Sequence, residues 1–326
     1  MKRTLLLICT LFCANVLLAQ EQLATLKHND SISVYYGQNA FVEAYNAAAN
    51  GDIITLSDGI FNVPSDVQKG ITVRGNGAVA DTARKRIGTY FMEDFELRNL
   101  GDSLQFSAEG IYFEDFNQAN ARDVELTRCY VNHLFNPCGL QATNCVIKGL
   151  LRGCESFNNT YINCVLESNY TSGAQALPYY AICYNCILTG VGDEHVLRNL
   201  YQYNNCIVIK KGTTNDTILT GVVKNSVLIG FTGTSSVASS GNVVMSLSDV
   251  FENWDGETLP TDLETYVLKS SVSNSILGFD GSEVGIFGGV IPFDWTPTYS
   301  VIKRLDVPNT PDENGMLNID VEFLTE

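Results

Sequence analysis

The sequence predicts an all-β parallel β-helix, and three observations carry that prediction. An Asn-Cys pair followed by two apolar residues occurs at Asn144-Cys145, Asn163-Cys164, Asn185-Cys186 and Asn205-Cys206. The series extends to Arg128-Cys129 upstream and Asn225-Ser226 downstream, so positions 129, 145, 164, 186, 206 and 226 lie 16, 19, 22, 20 and 20 residues apart. Self-similarity at a near-constant period marks a solenoid. Finally, these segments are rich in Val, Ile, Tyr, Asn and Gly, which suits short strands and turns. Leucine-rich repeats need a Leu-x-x-Leu-x-Leu pattern that is absent, and helical repeats need longer units.

Residues 1–19 read as a signal peptide. Lys2 and Arg3 form the positive end, Leu5 to Leu18 the apolar run, and Ala19 the small residue at the cleavage point. The chain is therefore expected in the periplasm, at the cell surface or outside the cell. Residues 20–280 form the β-helix with its N-terminal cap. Within the cap, Phe41, Val42, Tyr45, Ala48 and Ala49 recur at helical spacing, and Asn50-Gly51 supplies the stop. Ile53, Ile54 and Leu56 begin the first strand, Gly59 turns it, and residues 70–77 make the next coil.

In the repeated coils, Asn is expected at a sharp corner because it tolerates the left-handed backbone. Stacked Asn amides are expected to hydrogen-bond from coil to coil. The next position turns inward, where Cys acts as a small buried hydrophobe. Phe116, after Asp115, and Ser275, after Asn274, are placed in the same slot. Cys183-x-x-Cys186 has the form of a redox or zinc motif. Three residues before the slot, however, the other coils carry Phe113, Leu126, Ala142, Tyr161, Tyr203 and Val223, so Cys183 reads as core filler. Side chains that run parallel suit disulfides poorly, so the slot cysteines are expected to be free thiols. Cys138 and Cys154 lie off the column and stay open.

The Ala-rich helix, Gly51, Asp52, Ile54, Leu56, Gly59, Phe61 and the Ile71 to Gly75 run resemble the opening of the pectate-lyase-like right-handed parallel β-helix superfamily. The resemblance covers residues 38–280 and implies a right-handed solenoid. Residues 281–326 carry no Asn-Cys pair and resemble the closing segment of secreted, uncharacterised β-helix proteins of gut-type Bacteroidetes. Strands over 301–307 and 316–323 are expected to seal the far end.

Function is less legible. Lyases of this superfamily use Arg-x-Pro-x-x-Arg, and its polygalacturonases use Asp-Asp, His-Gly and Arg-Ile-Lys; none of these occurs here. The resemblance therefore implies architecture without activity. The catalytic candidates are Asp193, Glu194, His195 and Arg198, which could supply acid–base chemistry and charge stabilisation, against a plain polar loop. Tyr170, Tyr179 and Tyr180 are the candidate sugar-binding residues, against packing roles. Glu93-Asp94 and Glu114-Asp115 recur 21 residues apart and are expected to stack on one face. They would suit Ca²⁺ or a hydrolase pair, against solvated turns. No cofactor is required. His133 and Arg152 receive no role.

The formal net charge is −16, and loss of Lys2 and Arg3 makes it −18. That excludes nucleic acid as the expected partner, because phosphate binding needs clustered basic residues, and no membrane insertion is expected. Three functions fit: a glycan-interacting protein with no assignable catalytic site, a polysaccharide lyase or glycoside hydrolase with a non-standard site, or an adhesive surface solenoid. The expected partner is a polysaccharide or host glycan, and the expected state is a monomer.

Overall fold

The computed structural model describes residues 22–80, 87–101, 103–119, 121–149, 158–167, 181–191, 202–210, 222–231, 240–254, 266–296, 301–306 and 320–324. Two long sheets run along a parallel β-solenoid. The first has eleven strands and the second ten. Successive coils pair in parallel, each lending one strand to each sheet: Leu140–Thr143 pairs with Asn159–Ile162 in the first, Val146–Lys148 with Val165–Glu167 in the second. At the N-terminal end, β1 (Leu23–His28) and β2 (Ser31–Tyr36) form an antiparallel hairpin that extends the first sheet.

The expected capping helix spans Ala40–Ala47 and buries Ala40, Phe41, Ala44 and Tyr45. Ala48 is also buried, whereas Val42 is only half-buried and Ala49 is exposed. The helix stops where Ala48 becomes extended. Lys69 closes that end: its Nζ donates to the carbonyls of Tyr45 at 2.6 Å and Ala48 at 2.8 Å, which favours the negative end of the helix dipole. Phe41 then meets Phe91 and Phe95, and the stack continues through Phe116 and Phe113 into the coils.

The corner is where sequence and backbone agree most closely. Arg128, Asn144, Asn163, Asn185, Asn205 and Asn225 all have φ between 46° and 57°. Gly110 and Gly241 continue the column with φ of 66° and 72°. Upstream, the expected member differs. Tyr130 pairs with Tyr112, and the Tyr130 N–H donates to the Ile111 carbonyl, so Ile111 fills the slot and Phe116 lies opposite Leu134. Likewise Ala108, not Phe113, precedes Leu126 in the inner column. Gly reaches the left-handed region as easily as Asn, so this corner needed no Asn-Cys pair. Asn274 is no coil member either: it ends the Ser270–Ser273 helix in right-handed conformation.

The slot residue does more than fill space. The Cys129 N–H donates to Cys145 Sγ at 3.4 Å, and the Cys145 N–H to Cys164 Sγ at 3.5 Å. In turn, the Cys145 and Cys164 thiols donate to the carbonyls of Thr143 and Ile162. Ser226 repeats both bonds with its hydroxyl, accepting from the Cys206 N–H at 3.0 Å. Asn242 accepts from the Ser226 N–H at 3.1 Å. The slot thus satisfies corner amides that the sheets leave unpaired. All six described slot and core cysteines, 129, 145, 164, 183, 186 and 206, are free thiols, as expected.

The asparagine amides do not form the expected coil-to-coil stack. Only Asn205 Nδ2 to Asn185 Oδ1, at 3.4 Å, joins two of them among the described residues. Asn144, Asn163, Asn185 and Asn205 instead reach a strap formed by residues 276–296. Asn163 Nδ2 donates to the carbonyls of Ile286 and Gly288, each at 2.7 Å, and Asn144 Nδ2 to that of Pro292 at 3.3 Å. Asn205 Oδ1 accepts from the Phe279 N–H at 3.2 Å. The strap therefore runs back along the corner, beside the coils and not over their end. Glycines let it approach. A Cβ at Gly278 would stand 2.7 Å from Asn205 Nδ2, one at Gly285 2.8 Å from Ile207 Cδ1, and one at Gly288 would overlap the Glu283 carbonyl.

The two apolar residues after each Asn-Cys pair now have a reason. The second of each, such as Ile147, Leu166 and Leu188, enters the main core. The first, as in Val146, Val165, Ile187, Ile207 and Val227, faces outward into a second core closed by Val250, Phe251, Leu268, Val284, Ile286 and Phe293. Beyond the strap, Val301–Asp306 and Asp320–Leu324 pair antiparallel, close to the two strands expected there.

Two outcomes check this account. Cys164→Ser should keep most of the stability and Cys164→Ala should lose about 1–3 kcal/mol in denaturant unfolding, because only the former retains a partner for the Cys145 amide. Gly288→Ala should release the strap, seen as faster hydrogen exchange over 279–293 while the amides of the core coils stay protected.

Candidate ligand surface on the second sheet

The strap covers only the later coils, and the outward column changes character where it stops. Tyr130 pairs with Val146 on one side and Tyr112 on the other, and Tyr112 pairs with Tyr90. Beneath the strap the column is Val or Ile; Tyr130 packs on the margin of the second core, and the column continues through Tyr112 and Tyr90 to the exposed Ile60. Ring centroids are 5.3 Å apart for Tyr90 and Tyr112 and 5.1 Å for Tyr112 and Tyr130, the latter pair nearly parallel at 16°. The faces of Tyr112 and Tyr130 pack on each other, so the column offers solvent its ring edges and hydroxyls. Burial raises the pKa of Tyr112, with further contributions from its hydrogen bond to Glu114 and that carboxylate's charge. Its hydroxyl therefore stays a donor at neutral pH.

A polar row flanks the tyrosines. Tyr112 Oη donates to Glu114 Oε2 and Asn132 Nδ2 to Glu114 Oε1, both at 2.8 Å. Lys148 Nζ lies 5.6 Å from the Tyr130 ring centroid and pairs with Glu167 at 3.4 Å. Next to this row the Thr89–Arg98 strand carries a bulge between Phe91 and Asp94. That irregularity turns Met92, Glu93 and Asp94 all to solvent, as bulges re-aim side chains.

The two acidic pairs do share a face, but their members separate in role. Asp94 is the register partner of Asp115, and Asp115 of His133. His133 Nδ1 is 2.8 Å from Asp115 Oδ1. A hydrogen bond to Asp115, and then that group's charge, raises the Asp94 pKa. Glu93 instead accepts from the Val63 N–H at 3.3 Å, and Glu114 is held by Tyr112 and Asn132. Among the described residues no three His, Cys, Asp or Glu side chains converge to hold a metal ion.

His133 carries the row into a third coil and was missed in the sequence. Its signal was present: YFMED, YFED and YVNH, ending at Asp94, Asp115 and His133, share the tyrosine start, and the third puts Asn-His where the first two have Glu-Asp. The catalytic candidates Asp193, Glu194, His195 and Arg198, and the binding candidates Tyr170, Tyr179 and Tyr180, lie outside the described residues, as do Cys154 and Arg152. Cys183 and Cys186 are buried, and burial raises both thiol pKa values, so they lack the thiolate that redox or zinc chemistry requires. Cys183 sits between Tyr161 and Tyr203 in the inner column. Cys138, left open by the sequence, is disulfide-bonded.

The chain is by its architecture a parallel β-solenoid. No protein-family model, curated protein or solved structure matches it.

The acid pair gives a signed expectation. A carboxyl whose pKa is raised on folding lowers stability as pH climbs through the ordinary carboxylate range, since the unfolded chain releases its proton first. Asp94→Asn should therefore raise the melting temperature at pH 7. The gain should shrink as pH falls through the ordinary carboxylate range, where Asp94 takes up its proton in the folded and the unfolded chain alike. Melting curves of both proteins across that range check it.

Proposed function

We propose that the protein is an exported β-helix that binds an extended neutral glycan along the open part of the second sheet, without turning it over. One observation carries this reading: each of three successive coils presents a tyrosine at the same outward position, 5.3 and 5.1 Å apart, beside a row of carboxylate, amide and imidazole. A linear sugar chain offers hydroxyls and apolar edges at a comparable repeat, and tyrosine meets both with one side chain. The acidic row at Asp94, Glu114 and Asp115 favours a neutral chain over a uronic acid polymer, whose charges it would repel.

Membership of the pectate-lyase-like superfamily and a Bacteroidetes-type source belong to the same proposal, and rest on the resemblances at residues 51–75 and 281–326. Export rests on the signal-like first 19 residues. The disulfide at Cys138 supports it, since such bonds persist in oxidising compartments. A helix long and apolar enough to cross a membrane is absent among the described residues.

Binding to a panel of neutral and acidic polysaccharides, with product analysis alongside, tests the reading. We expect binding of a neutral chain without products, weakened about tenfold by Tyr112→Ala through loss of roughly 1.4 kcal/mol. Products that vanish in His195→Ala or Arg198→Ala would establish a lyase or hydrolase instead. Unchanged affinity in Tyr112→Ala would remove the proposed surface.

A further inference from the structure

The hairpin at the N-terminal end breaks the pattern kept elsewhere. Along β2, Ser33 and Tyr35 pair with the buried Leu26 and Ala24, yet on that face Ser31 and Ser33 are exposed and only Tyr35 reaches the core. The opposite face carries Ile32, Val34 and Tyr36, exposed by 69%, 39% and 49%. A strand open to solvent on most of both faces that still gathers its apolar residues on the outer one departs from the usual alternation, and such departures mark places where something else is selected.

The backbone makes the same point. The Gly37 N–H donates to the Gln22 carbonyl at 2.8 Å. In an antiparallel pair, bonded and non-bonded positions alternate. The odd-numbered residues of β2 therefore bond to β1, while the N–H and C=O groups of Ile32, Val34 and Tyr36 point to the free side. β2 is the last strand of its sheet among the described residues. Edges of this kind are ordinarily guarded by charge, proline or a bulge; SISVYY has none of these.

We propose that two copies of this chain pair through β2, forming a two-fold antiparallel junction centred on Val34. A two-fold axis makes any edge strand meet itself antiparallel, which continues the antiparallel order already set by β1 and β2. Centring on Val34 places Val34 against Val34, and Ile32 against Tyr36 of the other copy, with the outward backbone groups of all three in bonding positions. Asp30 then faces the uncharged Gln38, so no carboxylates oppose each other. In a chain with 36 acidic and 20 basic residues, an uncharged self-complementary strip is where two copies meet with least repulsion. One strand pair is a small interface, so the dimer dissociates on dilution. This replaces the monomer expected from the sequence and is independent of the glycan proposal.

Sedimentation of the exported protein over a concentration series, together with cysteine cross-linking, tests the junction. We expect a reversible monomer–dimer equilibrium that Val34→Asp shifts to monomer. Val34→Cys should form an intermolecular disulfide under mild oxidation, because paired Cα atoms across antiparallel strands lie within bridging distance. Ser33→Cys should not, since in this register it faces Tyr35. The six described free cysteines are buried, so they do not contribute. A protein that stays monomeric at its highest soluble concentration would overturn the proposal. So would equal cross-linking at positions 33 and 34.

Discussion

A chain that circles on itself every twenty residues must reverse direction repeatedly, and at this protein's sharpest corner one residue per coil adopts a left-handed backbone. Cβ sterics disfavour that conformation for most side chains. The column from Gly110 to Gly241 meets the constraint with Gly, Asn and one Arg. The corner also points an amide at the interior, away from any ladder partner. A thiol, hydroxyl or side-chain amide in the following coil accepts it. Asn and Cys therefore recur together because the corner poses two adjacent problems, one of conformation and one of hydrogen bonding.

The same corner organises the surface. Its asparagine side chains point outward with donors that need acceptors, and the strap's carbonyls supply them. Once the strap lies there, the outward positions beneath it become interior, so they are Val and Ile. From its edge outward the column carries Tyr130, Tyr112 and Tyr90 before Ile60, and the tyrosines' neighbours become polar. A packing decision on one side of the molecule thus sets where the outward face of the second sheet lies open. The bulge at Met92 and Glu93 sharpens that stretch by turning Asp94 out beside Asp115.

Sequence reading recovered what repeats. The period, the corner, the inner column through Cys183 and the free thiols all follow from residues that recur in kind. It failed where a coil solves the corner with other residues: Gly110-Ile111 shares no side chain with Asn-Cys, so Asp115-Phe116 was aligned in its place. The strap was hidden for another reason. Its bonds join residues 74 to 148 positions apart, and nothing periodic announces them. His133 fell between the two cases, because its coil keeps the tyrosine but replaces the acids with Asn132 and His133. The apolar face of β2 was not singled out, since alternation alone does not say which side of a strand is covered.

The central claim is that left-handed corners stack in one column and that the strap's backbone holds their asparagine side chains. A crystal structure fine enough to fix backbone dihedrals and amide orientations tests it most directly. The account predicts positive φ at Asn144, Asn163, Asn185 and Asn205, with the Asn163 amide donating to the carbonyls of Ile286 and Gly288. Asparagines bonded only to one another, with residues 276–296 packed elsewhere, would contradict it.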